Sequence, residues 1–388
     1  MLDSAPPTRT AARDMHGIAF ESVPLTDETV SNLYDEWHDL AQNAVETNVF
    51  FFPWFVRASI PLLKPKHPVI VTVRSHEQLI GLIIMQPDKG YAKVPVGFFR
   101  TCLQYHQFLA TPLVRAGHAE DFFTGLGDWL DASPQSRGFC LLNLLSSGGE
   151  IADAADEVFK RQSRSVTLVE EFERAAIIGP STAVGEPTDH ISKSRLKSLK
   201  RREKKLSKLG EVTVDHFSEI DDAREWLEDF IRLENSGWKG EEKTSIAENP
   251  IDADFYHEMV GAAESENALS FLRLSVDGVP IAYTLDLRCG AFAYCLKSAH
   301  DAAYRKYAPG VILEYETLKK YYRPETNIFV DSCTAPDNVM INELWPDKRK
   351  IQSIAFAKTG NLHGFIFKSV FLLKQAISAK PSLKWKER

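Results

Sequence analysis

An internal repeat is the feature that most constrains how this chain can fold. Apolar and polar residues alternate as in a β-hairpin at residues 69–86 and again at 269–288, about 200 residues later in a chain of 388. Ile80 of the first hairpin aligns with Ile281 of the second. This offset of nearly half the chain predicts a tandem duplication of one α/β unit. Two unrelated α/β halves of similar size are the alternative.

Similar elements surround the two hairpins. In the first half the patterns predict, besides the hairpin, a strand at 18–23, helices at 27–42, 54–63 and 120–130, and a strand at 139–145. In the second half they predict helices at 221–236, 254–263 and 309–322 and strands at 212–217, 292–298, 328–333 and 351–357. The predicted organisation is a disordered leader (1–15), an N-terminal domain (16–178), a linker (179–190), a C-terminal domain (191–360) and a C-terminal helix with a basic tail (361–388).

Composition excludes several classes of protein. The net charge of -7 argues against a protein that binds nucleic acid over its whole surface. The five cysteines show no CxxC spacing, which is the pattern of metal sites and redox motifs, and this favours reduced thiols. Neither a secretory signal nor an apolar run near the ~20 residues of a membrane span is present. A cytoplasmic location is therefore expected.

One segment of the second half has the pattern of a phosphate-binding loop. Between the strand that ends near His300 and the helix that follows, Pro309 suits the first helical position. Gly310 then lets the backbone approach a ligand without a Cβ in the way. Free N–H groups at a helix start bind phosphate well. The GxGxxG pattern, the Walker loop and HExxH are absent, which argues against NAD-binding and ATP-binding enzymes and zinc proteases of the HExxH type.

Residues 192–349 resemble the BioF2-like or CelD-like (cellulose biosynthesis) acetyltransferases, a branch of the GNAT superfamily of N-acetyltransferases. The resemblance rests on this loop together with three further features. These features are a basic helix at 193–208, Trp238-Lys239 at a helix end before the hairpin, and an acidic strand, Phe329-Val330-Asp331. Residues 48–114 show the same resemblance more faintly. In place of the aromatic residue that often precedes the aspartate of the loop, this chain has His300. In place of the Tyr-Lys pair after the acidic strand, it has Trp345-Pro346-Asp347.

The resemblance implies an α/β (α+β) fold of two tandem GNAT-like domains, each with a mixed, mostly antiparallel central sheet flanked by helices. The FemABX aminoacyltransferases have similar double domains. The implied activity is transfer of an acyl group, from acetyl-coenzyme A or another acyl-coenzyme A and without a metal, to an amine on a sugar, peptide or small metabolite. A role in polysaccharide or cell-envelope biosynthesis follows from the resemblance alone.

The candidate residues follow from that assignment. The donor would be held by the loop and helix start, namely Arg305, Tyr307, Ala308, Pro309, Gly310, Val311 and Ile312. Asp331 is the first candidate for the base, with a loop-capping carboxylate as the alternative. His300 and Tyr304 are candidates for proton transfer, although either residue type is also common in structural roles. Candidates for acceptor binding, in a cleft between the halves, are Trp238, Lys239, Lys297 and His106.

Two charged segments suggest partners. Nine lysines and arginines occupy residues 193–208, opposed by Glu203 alone. They would bind the phosphates of coenzyme A, an acyl carrier, a transfer RNA or an anionic polymer, or else form a solvated face. The C-terminal helix and its lysines would pack against the domain or contact an anionic membrane. The alternative functions are therefore transfer from aminoacyl-tRNA and a non-catalytic GNAT-like scaffold that binds a partner.

Overall fold

The computed structural model describes residues 10–13, 17–63, 66–91, 94–134, 138–178, 187–218, 220–323 and 327–377. Side chains at 10–13, 238, 361 and 374–377 are outside this description. The predicted leader, most of the predicted linker and the basic tail therefore lie largely outside it. The chain divides into two compact units: unit 1 holds the residues up to Phe172 and those from Lys350 onward, and unit 2 holds Glu173–Arg349.

Unit 1 contains a sheet flanked by helices. Its strands are β1 (Thr10–Arg13), β2 (Ile18–Pro24), β3 (Val69–Ser75), β4 (Gln78–Asp88), β5 (Phe98–Thr101), β6 (Leu113–Val114), β7 (Phe139–Ser146) and most of both β8 (Val166–Ile177) and β14 (Asp347–Ala357). Its helices are α1 (Asp27–Gln42), α2 (Pro53–Leu63), α3 (Ala119–Ala132), α4 (Glu150–Arg161) and α11 (Asn361–Ile377). The spatial order is β1-β2-β3-β4-β5-β7-β14-β8, and β6 pairs with β4.

Unit 2 repeats this arrangement. Its strands are β9 (Val212–His216), β10 (Leu269–Val276), β11 (Val279–Cys289), β12 (Phe292–His300), β13 (Phe329–Asp331) and the end of β8. Its helices are α5 (Lys193–Leu206), α6 (Ala223–Asn235), α7 (Trp238–Glu241), α8 (Pro250–Ser265), α9 (Pro309–Tyr321) and α10 (Val339–Asn342). The spatial order is β8-β13-β12-β11-β10-β9.

The two sheets share one pairing pattern. From β2 to β5 in unit 1 and from β9 to β12 in unit 2, neighbouring strands are antiparallel. The next pair is parallel in both units, β5 with β7 and β12 with β13. The aligned hairpins of the sequence thus occupy equivalent places as β3–β4 and β10–β11. The α/β (α+β) architecture of tandem GNAT-like sheets is confirmed.

Each sheet includes a strand segment from the other half of the sequence. β14 follows β13 along the chain but pairs with β7, with Ile351 opposite Ser146. β8 follows β7 but pairs with β13, with Ala176 opposite Asp331. The domain boundaries predicted from the sequence place residues 350–360 in the C-terminal domain and residues 173–178 in the N-terminal domain. Strand pairing across long sequence separation assigns both segments to the opposite units.

The hydrophobic core of each unit lies between the sheet and the helices that pack on it. In unit 2, α9 and the loop before it pack on the sheet through Ile312 and Leu313, together with Leu199 and Leu206 of α5. This packing places the basic helix beside the predicted phosphate loop. No helix in the described part of the chain has the length and apolar character needed to cross a membrane.

Candidate functional site

The start of α9 is shaped by the residues before it. Asp301 caps a 3-10 helix, Ala302–Tyr307, by accepting a hydrogen bond from the Ala303 amide at 2.8 Å. Ala308 then adopts a left-handed conformation (φ 52°), which costs a residue with a Cβ about 1 kcal/mol or more. Pro309 follows as the first residue of the helix. Backbone strain of this kind is often retained where it serves a site.

Open space lies next to the first turn of α9. A Cβ built on Gly310 would meet no atom within 4 Å. The Val311 amide donates to the Ala308 carbonyl at 3.0 Å, and Pro309 has no N–H. The Gly310 amide and the positive end of the helix dipole are therefore what this open side of the turn offers to an anion. Tyr307, a predicted donor residue, and Tyr304, a candidate for proton transfer, pack against the core beneath this turn, while the predicted donor residue Arg305 is exposed.

A pocket of about 310 Å³ adjoins this turn. Its lining comes from α5, the first turn of α9 and α10: Arg195, Ser198, Leu199, Arg202, Val311, Val339 and Met340. Arg195 pairs with Glu343 at 2.9 Å and donates to the Met340 carbonyl. Arg202, two helical turns further along α5, has no ion-pair partner within the described residues. The pocket thus combines an unpaired guanidinium with a helix start, which is a favourable environment for phosphate.

A β-bulge lies in the middle of β12 (Phe292–His300). Leu285 pairs with Lys297 and Asp286 with Cys295, so Leu296 is an extra residue in β12. The parallel pairing with β13 covers Phe292–Tyr294 and stops just before the bulge. Beyond that point, no strand of the described chain pairs with this edge of β12. Its backbone groups are available to an extended ligand.

The bulge turns Lys297 to the face of the sheet opposite Cys295. Its Nζ lies 2.9 Å from Oε1 of Glu234, an oxygen that Lys239 also approaches at 3.1 Å. The Ile246 amide donates to the other Glu234 oxygen at 2.9 Å. The predicted acceptor residues Lys239 and Lys297 are thus brought together, on a buried carboxylate that sequence reasoning missed.

Burial governs ionisation in this cluster. It lowers the pKa of Lys297, an effect that Lys239 reinforces and Glu234 opposes. The two lysines hold the pKa of Glu234 below its usual value against the cost of burial. Burial raises the pKa of nearby Asp252, partly offset by Lys297. Of the two carboxylates, Asp252 is thus the one whose pKa is raised above its ordinary value.

Two further buried acids lie on the α9 side of the sheet. Burial raises the pKa of Asp286 to about 7. Burial and the charge of Asp286 raise the pKa of Glu314, on α9, to about 8. Oε2 of Glu314 has no hydrogen-bond partner within the described residues. Burial thus favours the protonated form of both acids, and more strongly for Glu314.

Asp331 does not have the surroundings of a base. It is fully buried and bound by Arg174, with Nη1 of Arg349 2.8 Å from Oδ2. Burial opposes its ionisation, but the two arginines hold its pKa below the usual value. A carboxylate so stabilised is a poor proton acceptor. The structure gives Asp331 a structural role in place of the predicted catalytic one.

The remaining candidates are spread over both units. His300 is half-buried at the end of β12, and burial, with Arg305 nearby, lowers its pKa. Trp238 begins α7, and its side chain lies outside the described atoms. His106 is buried in unit 1 beside Tyr105. Glu234 and Asp252 had no sequence signal beyond their positions on amphipathic helices.

Comparisons with known proteins support the fold. Residues 193–330 match the family model of the acetyltransferase (GNAT) domain. No curated protein has significant sequence similarity to the chain. The segment from the basic helix to β13 is thus similar to the GNAT acetyltransferase domain, whereas the BioF2-like or CelD-like branch stays a prediction.

Three solved structures resemble nearly the whole chain. A crystal structure of FemX is 10% identical with a TM-score of 0.55, covering 88% of this chain and 98% of that one. A conserved protein of unknown function from Bacteroides thetaiotaomicron is 10% identical with a TM-score of 0.53, covering 87% and 100%. The C-terminal domain of a putative lysylphosphatidylglycerol synthetase from Agrobacterium fabrum is 11% identical with a TM-score of 0.52, covering 90% and 96%. At such low identity these likenesses show the fold alone.

Proposed function

We propose that the chain is an N-acyltransferase that moves an acyl group from an acyl-coenzyme A, in the simplest case acetyl-coenzyme A, to an amine. The observation that carries this proposal is the open first turn of α9 beside the unpaired Arg202, within the segment that matches the GNAT domain. Amides at a helix start and a guanidinium are the groups that bind a pyrophosphate.

The unpaired edge of β12 supports a route for the rest of the donor. With its phosphates at α9, the pantetheine arm would run along this edge toward the bulge at Leu296. His300 comes four positions after Leu296, which corresponds to roughly 13 Å of strand. His300 and Tyr304 would then lie at the phosphate end of the donor and the Lys297 cluster at its thioester end. We therefore assign His300 and Tyr304 to donor binding and not to proton transfer.

The acceptor would react beside Lys297. Its amine attacks the thioester carbonyl, the C–N bond forms, the C–S bond breaks, and the amine proton must be removed. Asp252 is our candidate for the base, because burial raises its pKa above that of an ordinary aspartate. The departing thiolate takes a proton from solvent or a neighbouring acid. We also propose, on the resemblance, an acceptor of polysaccharide or envelope biosynthesis and a cytoplasmic location.

Thermal unfolding with and without acetyl-coenzyme A tests the donor site. At a hundred times its dissociation constant, a ligand adds about 2.7 kcal/mol to the native state. The wild type should be stabilised and Gly310→Trp should not, because the indole would fill the open space at α9. Gly261→Trp is the matched control, since Gly261 is also helical and has no atom within 4 Å of its Cβ position. If the wild type is not stabilised, coenzyme A is not the donor.

The exposed basic residues of α5 support a second candidate, transfer from aminoacyl-tRNA. Seven basic side chains on this helix and just after it face solvent: Lys193, Lys197, Lys200, Arg201, Lys204, Lys205 and Lys208. RNA binding that weakens steeply with salt would favour it. Retention of coenzyme A without turnover on any amine would indicate a non-catalytic scaffold.

A further inference from the structure

Helix α11 is apolar on both faces. Its inner face packs into the core of unit 1 through Phe367, Val370 and Phe371, against Phe98 and Phe139. A helix that covers the sheet in this way is usually polar on its outer side.

The outer face of α11 instead carries large apolar side chains. Leu362, Phe365, Leu372 and Leu373 are 68%, 71%, 65% and 49% exposed. Their spacing of three, seven and one residues puts them on one stripe of the helix. The other exposed large apolar residues of the described chain are spread over separate strands, loops and helices. A stripe of this kind marks a contact surface.

Positive charge accompanies the stripe. Lys368 is exposed on α11. The sequence that follows contains Lys374, Lys380, Lys384, Lys386 and Arg388, with Glu387 as its one acid, and it also contains Trp385. Exposed apolar residues with Lys368 beside them, followed in the sequence by further basic residues and a tryptophan, have the composition of segments that bind the interface of an anionic bilayer.

We propose that α11 docks on the surface of an anionic lipid bilayer, lying in its plane with the outer stripe in the acyl boundary and Lys368 at the lipid headgroups. The basic residues that follow in the sequence add electrostatic attraction to the anionic surface. The helix does not span the bilayer. A second copy of the chain fits the same face less well, because it would offer no anionic surface to the basic residues on and after this helix.

Co-sedimentation of the full chain with vesicles tests the proposal. The wild type should bind mixed phosphatidylglycerol–phosphatidylcholine vesicles and release as salt is raised, and it should bind pure phosphatidylcholine vesicles far less. The double variant Phe365→Ser, Leu372→Ser should lower the bound fraction by about tenfold or more. Both side chains are largely exposed, so its melting temperature should match that of the wild type. The variant Lys384→Glu, Lys386→Glu should lose the preference for phosphatidylglycerol.

A matched control separates the stripe from apolar surface in general. Ile251→Ser, Val279→Ser removes two exposed apolar side chains of unit 2 and should leave vesicle binding unchanged. The proposal is overturned if the wild type does not bind the mixed vesicles, or if the Phe365 and Leu372 variant binds as well as the wild type. It is also overturned if the wild type is a dimer in solution that this variant converts to a monomer.

Discussion

Arg174 binds Asp331 through two parallel hydrogen bonds, from Nε to Oδ1 and from Nη2 to Oδ2, each 2.6 Å long. Arg174 lies on β8, from the first half of the sequence, and Asp331 lies on the neighbouring strand β13. Arg349 and the Cys333 amide add bonds to the same carboxylate. The pair thus anchors the strand that the first half contributes to the sheet of unit 2.

Asp331→Asn should destabilise the protein by about 3–5 kcal/mol, because it leaves Arg174 and Arg349 buried without a counter-charge. Denaturant unfolding measures the change. Glu120→Gln is the control, since its 2.8 Å pair with Arg161 is about half exposed on both sides; it should cost about 1 kcal/mol or less. Equal losses in the two variants would contradict the assigned role.

Glu314→Gln should change how stability depends on pH. Glu314 has a pKa of about 8 in the folded chain and an ordinary value of 4.5 when unfolded. Below pH 4.5 Glu314 is protonated in both the folded and the unfolded chain. As pH rises from there toward 8, the unfolded chain releases the proton and the folded chain retains it, so the wild type loses stability across that window. The glutamine cannot ionise and should remove this loss.

The measurement is the free energy of unfolding at a series of pH values between 5 and 8. Glu258→Gln, on the exposed face of α8, should keep the slope of the wild type. If the free energy of unfolding of Glu314→Gln changes with pH as steeply as that of the wild type, Glu314 is ionised in the folded chain throughout this pH range.

Arg202→Gln should weaken acetyl-coenzyme A binding by about tenfold to a hundredfold, the value of one charge-assisted hydrogen bond. Calorimetric titration at several salt concentrations measures the affinity and its salt dependence. Lys205→Gln, an exposed residue of the same helix outside the pocket, should have a smaller effect. Similar losses in both variants would indicate a diffuse attraction to the helix and no specific phosphate contact.

Asp252→Asn should lower kcat by about a hundredfold or more if Asp252 removes the amine proton. The fall in rate at low pH, which reports protonation of the base, should disappear. A loss of packing alone would not remove it. Asp254→Asn, an exposed neighbour on α8, should retain wild-type rates. An unchanged profile in Asp252→Asn would move the base to another group.

Much of the fold could be predicted from local pattern. Asp277 and Gly278 both adopt positive φ in the turn between β10 and β11, as an Asp-Gly hairpin requires. Alternation of apolar residues predicts the strands beside that turn, and the predicted helix at 309–322 is α9 within one residue. The candidate donor residues could be found because a helix start is a local feature. The strands β5 and β8 and the helix α4 were missed.

The sequence by itself determined the repeat, the two hairpins and the Pro309-Gly310 helix start, because turn chemistry and periodicity act over a few neighbouring residues. Tertiary structure alone decided which half each of β8 and β14 would join, since strand pairing over 150 or more residues leaves no local pattern. It also decided the side of the sheet on which Lys297 lies. The bulge at Leu296 reverses the alternation there, and a bulge is set by the register of β11 and β12 and not by the residues of either strand alone.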